Sequence, residues 1–219
     1  MRAIPSLGLS ITLIALVALL TIATTSVNAQ ALYREGQHYL PVNTPTTPKD
    51  PSKIEVTEIF WYGCPHCQQF QPVFSQWKQQ QADDVRIMHM PAMWNKPMRT
   101  HARIFYTAKA LGVLGKVHKD AFDAMHVEKK RLLKESEVFS LFEKHGIDRK
   151  VFDKTFHSFG LKSQVQRANN LAKAYGTTGT PEVIVNGKYR VSGSTAGSQS
   201  EMLNVINFLI AKERANKKS

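Results

Sequence analysis

Cys64 and Cys67 are the only cysteines in this 219-residue chain, and they stand two residues apart in the stretch EIFWYGCPHCQQF, residues 58–70. Thiols at that spacing suit a structural disulfide, half of a metal site, or reversible thiol–disulfide exchange. A staple is the weakest of the three, because cross-linking stabilises through the loop that it closes and a two-residue loop constrains little. A zinc site needs two further ligands, and the eight histidines include no close pair at ligand spacing. No metal and no cofactor is therefore expected, and exchange is the leading reading. Two readings of other classes stay open, a non-catalytic peptide-binding chaperone and a thiol-based metal carrier.

Exchange chemistry requires two unlike thiols, and the neighbouring elements supply the difference. Ile54 to Tyr62 alternates and then becomes continuously apolar, as a central strand does. The following CPHCQQFQPVFSQWKQQQ reads as a helix, with Pro65 in its first turn, Phe70, Val73, Phe74 and Trp77 at helical spacing, and Pro72 marking a kink. Free N–H groups and the dipole at a helix start favour an anion, so Cys64 should ionise readily and act as the nucleophile. Cys67, one turn further in on the same face, should resolve it. His66 can add positive charge or donate a hydrogen bond to the Cys64 thiolate.

Around this centre the chain alternates between strand and helix patterns. Residues 30 to 52 are polar and proline-rich, a lead-in to the fold. A second strand is expected at Val85 to Met90, then helices at Met98 to Leu111, Val113 to His126, Glu135 to His145, Arg149 to His157 and Leu161 to Tyr175, with Gly146 and Gly176 as stops. EVIVNGKYRV is two β-rich runs joined by Asn186-Gly187, a hairpin signal, and an amphipathic helix from about Ser200 to Lys212 closes the chain. The expected architecture is an α/β domain built from residues 30–93 and 176–219, interrupted by an all-helical insertion over residues 94–175.

The first residues stand apart. Arg2 precedes an apolar run from Leu9 to Ala23, and VNAQA then offers a small-residue cleavage site, so residues 1–29 read as a secretory signal peptide cut after Ala29. The run is shorter than the roughly 20 residues that a spanning helix needs. The chain carries 29 basic against 17 acidic residues, and cleavage removes only the charge of Arg2. On an exported protein this balance reads as solvated surface, with nucleic acid an improbable partner.

The order strand, Cys64-Pro65-His66-Cys67, helix, helical block, Thr180-Pro181, VNGKY hairpin and final helix resembles the DsbA-type periplasmic thiol oxidases, a branch of the thioredoxin fold. The resemblance covers essentially the whole mature chain. It implies a redox-active Cys64–Cys67 disulfide that is donated to unfolded exported proteins with free cysteines, through a mixed disulfide on Cys64. It also implies reoxidation by a membrane quinone-linked protein of the DsbB type. Pro181 becomes a cis-proline facing the disulfide, and Thr180 offers its backbone to the substrate. Glu58 becomes a buried acid that accepts the Cys67 proton, its pKa raised by desolvation, with His89 in the place of the family's lysine. Threonine before the cis-proline is more typical of the related disulfide isomerases, so an isomerase or reductase is the alternative of the same fold. Those proteins carry an N-terminal dimerisation domain, for which residues 30 to 52 are too few, and a monomeric oxidase is the preferred reading.

Overall fold

In a computed structural model, residues 32–218 are described. The expected signal peptide and its cleavage site lie outside them. Among the described residues five strands form one sheet in the order β1-β5-β4-β2-β3. The central strand β2 (Ile54–Phe60) runs parallel to β3 (Val85–Pro91), with Ile54 opposite Val85 and Glu58 opposite His89. Helix α1 (Pro65–Gln79) makes the crossover between them. On the other flank β2 pairs antiparallel with β4 (Glu182–Val185), and β4 with β5 (Tyr189–Ser192). Asn186 and Gly187 turn that hairpin with φ of 53° and 65°, the left-handed pair that a tight two-residue hairpin loop requires.

Helices α2 (Lys96–Ala110), α3 (Leu114–His126), α4 (Glu135–Glu143), α5 (Arg149–Phe156) and α6 (Phe159–Tyr175) stand between β3 and β4. Their starts follow local chemistry. Asn95, Asp148 and Ser158 cap α2, α5 and α6 by accepting backbone N–H groups at 2.9, 2.7 and 3.1 Å. Gly176 ends α6 in the left-handed conformation. Pro72 lies inside α1 without ending it.

Two apolar clusters sandwich the sheet. Ile54, Val56, Val183 and Val185 pack with Phe70 and Phe74 of α1 and with Met202, Val205, Ile206 and Leu209 of the last helix. Ile59, Phe60 and Tyr62 pack instead with Phe105 and Phe122 of the helical block. Ile54, Val56 and Phe60 share one parity along β2, so a single row of side chains meets α1 and the last helix at its start and the helical block at its end.

Two segments depart from the sequence expectation. The polar lead-in contributes an edge strand, β1 (Leu40–Pro41), paired with β5, and it buries Tyr39 and Val42. Two residues are too short a run to show a period, so the pattern could not reveal them. A short α7 (Gly193–Ala196) intervenes after β5, and the closing α8 runs over Gln199–Lys218 rather than stopping near Lys212. Side chains beyond Lys212 anchor the extra turns. Glu213, buried, accepts from Asn186, Lys188 and Tyr189 at the hairpin. Arg214 grips Asp84 through two bonds of 2.6 and 2.7 Å, and Lys217 donates to the carbonyls of Pro51 and Lys53.

Candidate active site

The turn Trp61-Tyr62-Gly63 joins the end of β2 to the start of α1. Cys64 is the N-cap residue: its N–H donates to the Trp61 carbonyl at 3.0 Å, and its own carbonyl accepts from Gln68 at 3.1 Å. Gly63 is required by a close approach, since a Cβ there would lie 2.4 Å from the Trp61 ring. Cys64 is 8% exposed and Cys67 fully buried, and both are free thiols. Thr180 faces them across the loop before β4. The peptide bond to Pro181 is cis, and the Cys64 Sγ–H donates to the Thr180 carbonyl at 3.3 Å.

The two thiols differ sharply. The Cys67 thiol donates toward Cys64, and the Thr180 hydroxyl and the backbone N–H groups of Cys67 and His66 add to it. Together they outweigh burial and bring the Cys64 pKa down to about 5. Burial pushes Cys67 far upward, with its bond to Cys64 and the nearby charges of Cys64 and Glu58 adding to the effect. His66 itself is exposed. It reaches the sulfur through its backbone N–H, and its carbonyl accepts from Gln199 at 2.7 Å.

Behind Cys67 the structure places Glu58, fully buried. The carboxylate accepts from Gln71 Nε2 at 3.0 and 3.2 Å and contacts His89 Nδ1 at 2.6 Å. His89 therefore does stand beside the acid. Sequence reasoning missed the rest of this layer. His118 of α3 bonds both Gln71 and the Tyr62 hydroxyl, at 3.3 and 3.0 Å. His126 donates from Nε2 to the Tyr62 carbonyl at 2.7 Å, and His101 of α2 accepts the Trp61 indole N–H at 2.9 Å. A signal was present: His101 and His118 each precede a core phenylalanine, Phe105 and Phe122, by one helical turn, which puts both on the buried face.

A cavity of about 710 Å³ opens beside the pair, lined by His66, Gln69, Thr180, Pro181, Ser194 and Gln199 among others. Elsewhere, among the described residues, Glu135, Asp153 and His157 gather ligand atoms within 4.8 Å, but Arg149 already bonds both acids there.

The family described as DSBA-like thioredoxin domain matches residues 55–202. The chain belongs to that family. Two curated relatives named thiol:disulfide interchange protein DsbA are similar over most of their length. The one from Pseudomonas aeruginosa is 39% identical over 84% of this chain and 87% of its own. The one from Azotobacter vinelandii is 41% identical over 82% and 84%. A crystal structure of Pseudomonas aeruginosa DsbA superposes with a TM-score of 0.81 at 38% identity, covering 85% of this chain and 97% of the other. The fold is thus the thioredoxin fold of the DsbA family with helices inserted between β3 and β4, and the chain is a thiol:disulfide oxidoreductase.

Proposed function

We propose that the chain is an exported disulfide oxidase working in the periplasm. In this reading residues 1–29 are a signal peptide cleaved after Ala29. Residues 30–93 and 176–219 form the thioredoxin-like part that carries the redox pair, and residues 94–175 form the helical insertion. The observation that carries the reading is the inequality of the thiols, Cys64 acidic at the helix start and Cys67 buried and reluctant to ionise. A substrate thiolate attacks Cys64 Sγ, the Cys64–Cys67 bond breaks, and Cys67 leaves and takes up a proton. A second substrate thiolate then displaces Cys64, which leaves as a stabilised thiolate, and the substrate departs oxidised.

Pro65 starts the helix beneath Cys64, and His66 supports the thiolate by its backbone N–H. Thr180 and Pro181 present backbone to the incoming peptide as an added strand partner does. Glu58 exchanges the Cys67 proton. The substrates are unfolded exported proteins with free cysteines. A membrane quinone-linked partner of the DsbB type restores the disulfide, and the protein acts as a monomer.

Oxidation of a reduced, unfolded two-disulfide protein tests this directly. Cys64→Ser is expected to abolish turnover and adduct formation alike. Cys67→Ser should lose turnover as well, since no internal disulfide can form, and with glutathione disulfide as the oxidant it should carry on Cys64 a mixed disulfide that no internal thiol reverses. Retained substrate protection with both cysteines replaced would favour the chaperone reading instead, and stoichiometric zinc or copper uptake by the reduced protein would favour the metal carrier.

A further inference from the structure

Cys67 and Glu58 are both fully buried, yet every catalytic cycle must move a proton onto Cys67 and off it again. Among the described residues two groups bond the Glu58 carboxylate, and only one of them leads outward. Gln71 donates its Nε2–H to Glu58, which turns its carbonyl toward His118. His118 therefore donates from Nε2 to that carbonyl and accepts the Tyr62 hydroxyl at Nδ1. An amide in mid-chain passes no proton onward, and burial holds the His118 pKa down to about 3, so this branch orients Gln71 without conducting.

His89 is the other neighbour. It sits on the edge strand β3, its Nδ1 is 2.6 Å from Glu58 Oε2, and its side chain is 19% exposed. It lines a cavity of about 380 Å³ shared with Gln71, Ser75, Lys78 and His118. A second cavity of about 520 Å³, lined by Gln71, Ser75 and His118 as well, extends along α1 and α3 toward Lys119 and Asp123.

We propose that His89 is the proton carrier that connects Glu58, and through it the Cys67 thiol, with solvent in the cleft between α1 and α3. The proposal rests on the role given above to Glu58. The groups facing His89 are Glu58 from β2, Lys78 from α1 and His118 from α3, whose ring centre is 5.4 Å away. Phe60, Phe74 and Phe105 close its remaining sides, and Glu55, Arg86 and Lys109 border a further cavity that it touches on the far side. Imidazole is the side chain suited to this task, because one ring nitrogen can take up a proton while the other releases one.

During reoxidation Cys64 thiolate attacks a disulfide of the oxidant, forming a mixed disulfide and releasing one thiolate. Cys67 then gives its proton to Glu58 and attacks Cys64 Sγ. The internal disulfide forms, the second oxidant sulfur leaves as thiolate, and two electrons have passed to the oxidant. As Glu58 takes that proton, the one already held in its contact with His89 passes fully to Nδ1, and the ring releases another from Nε2 to water. The ring then turns into the cavity, gives up its Nδ1 proton to water, takes one at Nε2 and returns to Glu58. When a substrate thiolate displaces Cys67, the same path runs inward and protonates it.

The test is rapid-quench oxidation of the reduced protein by glutathione disulfide, with the Cys64 adduct counted by mass spectrometry. Its decay, taken relative to its formation, reports the Cys67 step. His89→Ala is expected to slow that decay about a hundredfold at pH 7, the lower end of the range for a lost proton-transfer group. Free imidazole, which the cavity can admit, should restore it. His89→Gln should be as slow, although its amide can still donate to Glu58, and Glu58→Gln should be slow without responding to imidazole. Wild-type decay in His89→Gln, or a slow His89→Ala that imidazole leaves unchanged, overturns the carrier role and makes the contact structural. Wild-type decay in Glu58→Gln removes the underlying assignment of Glu58, and the carrier with it.

Discussion

At pH 7 a thiol with the ordinary pKa of 9.0 is almost wholly protonated, whereas Cys64, at about 5, is almost wholly thiolate. Holding the anion two pKa units below the working pH stabilises the reduced protein by about 2.7 kcal/mol, which makes the pair about 60 mV more oxidising than an unperturbed one. Cys67 adds nothing at this pH, since its thiol is protonated with or without the shift. Among the contributors Thr180 is the one whose side chain can be replaced at constant shape. Thr180→Val removes the hydroxyl and keeps the branched outline and the carbonyl. One lost hydrogen bond to the anion is worth about 1.5–3 kcal/mol, so the Cys64 pKa should rise by roughly one to two units. Thiolate absorbance against pH measures it. An unmoved pKa would assign the acidity to the helix start and Cys67 alone.

At the scale of elements, the helical block holds the redox turn through imidazoles: His101 on the Trp61 indole, His118 on the Tyr62 hydroxyl and His126 on the Tyr62 carbonyl. Burial keeps His101 and His118 neutral by lowering their pKa, for His118 to about 3. Both bind protons more tightly when unfolded, near the ordinary value of 6.5. Their contribution is therefore complete above that value and is lost as pH falls toward the folded pKa. Thermal unfolding between pH 7 and pH 4 should show the melting temperature falling with acid, and His118→Phe should flatten that fall whatever its effect at pH 7. An equally steep fall in the variant would place the acid sensitivity elsewhere. These contacts also mark where sequence reading stops. The strand before Cys64, the helix after it, the Asn186-Gly187 hairpin and the Gly176 stop announce themselves by period or by backbone preference, which are local. The bonds of Gln71, His101, His118 and His126 join residues 13 to 64 positions apart, and no local pattern encodes which partner a buried polar group meets. The same limit hid β1, whose pairing is with residues 189 and 190, and the last turns of α8, which Asp84, Pro51 and Lys53 hold in place.

At the scale of the whole molecule, the central strand β2 delivers the thiols to one end of the sheet and the helices close over their inner side. The outer sulfur is left beside the Thr180-Pro181 loop and a polar cavity. The residues from Tyr33 onward form one compact unit, so the helical block and the redox strand respond together. Such a molecule should exchange one proton with its two electrons wherever Cys64 is ionised and two wherever it is protonated. The most direct test of the account is the equilibrium of the Cys64–Cys67 pair with a glutathione buffer, followed from pH 4 to pH 8. The potential should fall with rising pH by about 59 mV per unit below the Cys64 pKa and by about 30 mV per unit above it, with the break near 5. A single slope of about 59 mV per unit across the whole range would show that Cys64 stays protonated in the reduced protein, and would contradict the account.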